Sequence, residues 1–136
     1  MKRQSGQALV EWALSALVLI LFGLGILAVG HVVGQYMAVR AAATQAAFAA
    51  ARAPSAQAAQ TAARQAAQEA VSDSRLCHFQ ISVDTGSFER GATLTAQATG
   101  CVSLEPFPII SAVLGRCVPL RWTAHALIEP YRSRSP

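Results

Sequence analysis

Residues 4–27 read QSGQALVEWALSALVLILFGLGIL, and the fold turns on how this stretch is read. From Trp12 to Val39 there is no formal charge, a run longer than the roughly 20 residues a helix needs to cross a bilayer. One crossing is therefore expected. Glu11 is the anomaly, an acid just inside the leading edge of the run. On insertion scales a carboxylate at mid-bilayer costs about 2.5–3.5 kcal/mol, and a plain anchor has no use for one.

The composition agrees with a single membrane segment. Of 136 residues, 53% are apolar and only 13% charged, and the mean hydropathy is +0.36. That profile suits one small unit carrying an apolar span. The formal net charge of +4 is not gathered into a stripe. Lys2 and Arg3 precede the apolar run, and the arginines are scattered from Arg40 to Arg134. Without basic and aromatic residues interleaved on one face, no nucleic-acid partner is expected. The same two residues, Lys2 and Arg3, favour a cytoplasmic N-terminus, which puts everything after the crossing outside the cytoplasm. Cys77, Cys101 and Cys117 would then lie in an oxidising compartment. Their odd number leaves one unpaired or bonded to another chain.

Outward from the apolar run, Gln7 to about Arg52 reads as one helix. Its first part is apolar all round, as lipid-embedded helices are. Its second part, MAVRAAATQAAFAAARA, is rich in alanine, the best helix former. Gly30 and Gly34 make a small-xxx-small pair, with Gly23 a heptad earlier on nearly the same face, and such a face admits a second helix at close range. Pro54 ends or kinks the helix at Ala53, and Ser55 is a fitting N-cap for the next one. There, Ala59, Ala62, Ala63, Ala66, Ala70 and Val71 form a stripe opposite Gln57, Gln60, Arg64 and Gln68. A stripe of alanine buries little area, so it supports close helix packing and not an independent bundle core.

After Ser72–Ser74 the period changes to two. Cys77, Phe79, Ile81 and Val83 alternate with polar residues, a half-buried strand. TGSFERG supplies a turn, ATLTAQATGCV a second strand, and the pair reads as a hairpin. LEPFPIISAVLG is a short apolar segment of one or two helical turns. Leu120, Trp122, Ala124, Ala126 and Ile128 then alternate with Arg121, Thr123, His125, Leu127 and Glu129 as a third strand, which Pro130 and the tail YRSRSP end. The fold class expected is α+β: a long N-terminal transmembrane helix, a short alanine-rich helix and a small antiparallel three-stranded sheet.

RQSG followed by QALVE inverts the order of a secretory signal, whose apolar core precedes its cleavage site. Basic residues, a small residue and glycine come first, and the apolar segment stays. This resembles a type IV prepilin leader cut by a prepilin peptidase between Gly6 and Gln7. Gly6, Ala8, Val10, Glu11, Trp12, Ala13 and Leu14 are similar to the start of TadE-like pseudopilins of tight-adherence (Tad/Flp) pilus systems. The proline that often follows in that family is absent at Ser15–Val18. FERGATLTAQATGCVSLEP and LIEPYRS also resemble the outer strands and terminus of such proteins.

The resemblance implies three parts: a leader over 1–6, a transmembrane and assembly helix over 7–53, and a periplasmic or extracellular α+β domain over 54–136. It implies a minor pilin or pseudopilin in the inner membrane, destined for a cell-surface pilus. The implied partners are other pilin subunits, the peptidase and the inner-membrane assembly platform. Cleavage would expose an α-amino group at Gln7, protonated below its usual pKa of about 7.7–8.0. The ammonium of a neighbouring subunit, staggered by about a turn, would then be the partner a buried Glu11 needs. A snorkelling acid at the interface is the plainer alternative.

Catalytic and cofactor chemistry is not expected. Cys77–His78 lacks the further ligands of a zinc site and the third group that orients a nucleophile. His31 falls about 30 Å along the helix from Glu11, at the outer interface. Two other readings stand beside the pilin: an unprocessed single-pass protein whose outer domain binds a partner, and a soluble domain released near Ala47–Ala49. The mature N-terminus separates them. In the sheet, pairing centred near Glu89 sets Cys77 opposite Cys101, the expected disulfide, with Cys101–Cys117 as the alternative. The apolar alternation prefers a register one residue off, which a bulge at Gly100 would reconcile.

Overall fold

A computed structural model describes residues 4–129. Lys2 and Arg3 at the start, and Pro130 with the closing tail, lie outside the described residues. The order is α1 (Gln4–Ala51), α2 (Ala56–Val71), β1 (Leu76–Asp84), β2 (Thr93–Ser103), α3 (Pro108–Leu114) and β3 (Cys117–Leu127). The strands form one antiparallel sheet in the order β1-β2-β3. The expected α+β architecture is the one observed.

Local chemistry explains the helix limits. α1 stops at Ala51, three residues before Pro54, and Ala53 N–H donates to Ala50 O at 3.2 Å. Ser55 is extended, at φ −144° and ψ 162°, and its Oγ accepts from Ala58 N at 3.3 Å. At the far end of α2 the hydroxyls of Ser72 and Ser74 donate to the Glu69 and Val71 carbonyls, which would otherwise lack partners.

α1 has two unlike halves. Val39, Ala42, Ala43, Ala46, Ala47 and Ala50 are fully buried, packed against α2 on one side and β2 and β3 on another. From Leu9 to Leu27 most large apolar side chains are exposed. α2 brings Ala59, Ala63 and Ala67 to the seam, so methyl meets methyl and the two backbones run close. The stripe is as expected except that Ala67 lies at its centre. The sheet contributes Leu94, Ala96, Ala98, Ala124 and Ala126, and the core is built mainly of small side chains.

The other face of the sheet is polar, with Thr95 Oγ1 and His125 Nδ1 at 3.0 Å and Gln97 Nε2 donating to Thr123 Oγ1 at 3.4 Å. One covered and one solvated face is the usual arrangement of an antiparallel sheet.

Register departs from expectation in a definite place. Cys77 does lie opposite Cys101, but Gln80 lies opposite Thr99. His78 and Phe79 therefore face the single residue Gly100, and the extra residue belongs to β1, not to β2. His78 takes the left-handed φ of 52° that lets the strand bend there. Beyond the bulge Ile81 pairs with Ala98 and Val83 with Ala96, two residues away from the pairing the alternation suggested. The bulge also reverses the faces, so Leu76 is turned inward and Cys77 is exposed. A side chain at Gly100 would sit 3.5 Å from Leu76 and 3.7 Å from Val39, so β1 and α1 close over that point.

Candidate functional site

The residues singled out by sequence all fall on α1 or at one corner of the sheet. α1 runs unbroken through Gly6 and Gln7, both exposed, and no other atoms lie within 4 Å of where a Gly6 side chain would stand. Glu11 is also exposed, and its carboxylate has no partner among the described residues. A carboxylate among apolar neighbours is costly to bury without a partner.

Gly23, Gly30 and Gly34 make an open face. None has a neighbour within 4 Å of its Cβ position. At 3.6 residues per turn they lie about 200–240° around the helix from Ala28, which is buried toward the rest of the chain. A side chain on any of them would meet no other part of the described chain.

Where the bare half meets the packed half, α1 is fastened by polar and aromatic contacts. Gln35 Oε1 accepts from Arg75 N at 3.2 Å, tying the start of β1 to α1. Tyr36 meets the Trp122 ring edge-on at 5.6 Å, and the Arg40 guanidinium lies 5.2 Å from the same ring. Periodicity assigned Trp122 to the inward face of β3, but its partners on α1 were not foreseen. Aromatic and cationic residues just past an apolar run were the signal available. His31 is partly buried and its ring lies 6.0 Å from that of Phe107.

The cysteines gather at the end of the sheet where β1 starts. The structure joins Cys101 to Cys117, with Cα atoms 5.8 Å apart, and leaves Cys77 free and exposed. The first choice, Cys77–Cys101, is thus replaced by its alternative. Direct opposition in the ladder did not decide the pairing; Cys101 bonds diagonally across to the first residue of β3. No cluster of three or more metal-ligating side chains occurs among the described residues.

Among the described residues one helix, Gly6–Ala51, is long and apolar enough to cross a membrane, and only 6% of its most apolar window is buried. Residues 6–52 match the family model of TadE-like protein. The N-terminal helix is TadE-like. The match begins at the glycine of the candidate leader and ends one residue past α1, so it coincides with the element that carries Gly6, Gln7, Glu11 and the glycine face. FERGATLTAQATGCVSLEP and LIEPYRS lie beyond it. No curated protein sequence and no solved structure matches the chain.

Proposed function

We propose that this chain is a minor pilin or pseudopilin, a structural assembly subunit of a Tad-type pilus or related secretion machine. Its leader, Met1–Gly6, is removed by a prepilin peptidase, and the sheet domain faces the periplasm. One observation carries the reading: the TadE-like helix is left bare where its family signature lies, with Glu11 unpartnered among the described residues and the glycine face open. A protein complete in itself has no reason to expose both. A neighbouring subunit supplies the new N-terminal ammonium to Glu11 and a helix to Gly23, Gly30 and Gly34.

One feature favours the runner-up, an unprocessed single-pass protein whose outer domain binds a partner. α1 is helical across the Gly6–Gln7 bond, and a peptidase must unwind what it cuts. Glycine at 6 makes unwinding easier, being about 1 kcal/mol worse than alanine inside a helix. Intact mass of the protein from cells with and without a prepilin peptidase separates the two. Loss of Met1–Gly6 only when the peptidase is present is the expected result. The same full-length mass in both cells would reject the pilin reading, as would normal maturation of Gly6→Leu.

A further inference from the structure

α3 sits beside the bare half of α1. Two apolar cavities separate the helices. One, of about 200 Å³, is lined by Leu21, Leu24 and Gly25 facing Phe107, Pro108 and Ile109. The other, of about 430 Å³, is lined by Ala28, Val29 and Val33 facing Ile110 and Leu114. Along the axis of α1, then, α3 occupies the levels from Leu21 to Val33.

Those levels can be converted to depth. If Glu11 marks one edge of a hydrocarbon layer about 30 Å thick, the other edge comes about twenty residues later at 1.5 Å each, at His31. Leu21 is then at the middle, and α3 lies within the half of the bilayer on the sheet's side. Its chemistry fits that place. Pro106–Gly115 has no charge, and Glu105 and Arg116 bracket it. No residue of α3 is buried in the protein, and Ile109, Val113 and Leu114 are 61%, 81% and 65% exposed. Left in water, each would forgo the burial that stabilises an apolar side chain.

The polar groups of the excursion are largely closed on themselves. The Ser111 hydroxyl donates to Pro108 O at 3.0 Å, and Ser111 N–H to Phe107 O at 2.8 Å. Phe107 N–H donates to Leu104 O, and Leu104 N–H to Arg116 O across the neck, both at 2.9 Å. Backbone that satisfies itself is what a lipid environment demands.

We propose that α3 is a second membrane contact, one that enters the bilayer without crossing it. Ile109, Val113 and Leu114 lie among the acyl chains of the leaflet nearest the sheet, and acyl chains fill the two cavities beside α1. This rests on α1 being a membrane anchor, and the test keeps the two ideas apart. In a Cys77→Ser background with the Cys101–Cys117 bridge intact, single cysteines are placed by Val113→Cys, Ile109→Cys, Phe22→Cys and Ser82→Cys. Each is labelled with an environment-sensitive fluorophore and reconstituted into phosphatidylcholine–phosphatidylglycerol vesicles containing doxyl-labelled acyl chains. Blue-shifted emission and quenching at 113 and 109 matching those at 22, with none at 82, is the expected result. Quenching at 22 with red, unquenched emission at both 109 and 113 overturns the proposal and leaves the anchor standing; α3 would then face water or another subunit. No quenching at 22 overturns both.

Discussion

Trp122→Ala takes away a ring that meets α1 twice, edge-on against Tyr36 at 5.6 Å and beneath Arg40 at 5.2 Å. Truncating a fully buried tryptophan costs about 3–5 kcal/mol. Trp122 is only partly buried, so the expected loss is about 2–3 kcal/mol. Within it, the edge-on pair should account for about 0.5–1.5 kcal/mol and the solvent-exposed cation–π contact for about 0.5–1 kcal/mol. Those two terms are separable by double-mutant cycles with Tyr36→Ala and Arg40→Ala. Urea unfolding of the full chain in detergent micelles, followed by far-UV circular dichroism, would read them. Coupling energies for both pairs inside the additivity error of about 0.3–0.5 kcal/mol would refute the idea that Trp122 fastens the sheet to α1.

Four further outcomes are expected. Ala63→Leu puts a large side chain into the α1–α2 seam, where Ala63 is fully buried, and should destabilise by about 1–3 kcal/mol in the same unfolding assay. Gly30→Leu meets no atom of its own chain, so it should leave the unfolding midpoint nearly unchanged while reducing crosslinking between subunits in the membrane. Glu11→Ala should reach the membrane fraction as well as the native protein or better, since an acid opposes insertion, yet fall in the assembled fraction; normal assembly would remove Glu11 from the site. Cys117→Ser should shift the bridge to Cys77–Cys101, which lie opposite in the ladder, and non-reducing peptide mapping would find both remaining thiols free if the corner is arranged otherwise.

Much of this architecture was readable because it rests on neighbours in sequence. Pro54 and Ser55 set the break between the helices through backbone geometry and one side-chain oxygen. Leu120, Trp122, Ala124, Ala126 and Ile128 reported the inner face of β3 by simple alternation. The β1 register was harder, because the extra residue opposite Gly100 moves the pairing beyond it two residues from the one alternation suggests. The cover over Gly100 comes from Leu76 and from Val39 on a distant helix, which no local pattern reveals. The disulfide followed the same limit, since Cys101 had one partner opposite and one diagonal. α3 was visible as a short apolar helix, but periodicity cannot tell a segment buried in protein from one lying outside it. Glu11 and the three glycines stand out in the sequence by their oddity, an acid and missing side chains where an anchor needs neither, and the structure leaves them exposed or open.

The continuity of α1 has a mechanical consequence. One helix of about 72 Å, at 1.5 Å per residue, runs from the anchor end into the domain without proline or break over Gln4–Ala51. A tug on its N-terminal end cannot be absorbed by a hinge. It arrives at the alanine seam as shear, directed along the seam, so the methyl contacts of Ala42, Ala43, Ala46, Ala47 and Ala50 share the load in parallel instead of opening one after another. Resistance of that kind grows with the length of the overlap, and small smooth side chains let the overlap be long and close.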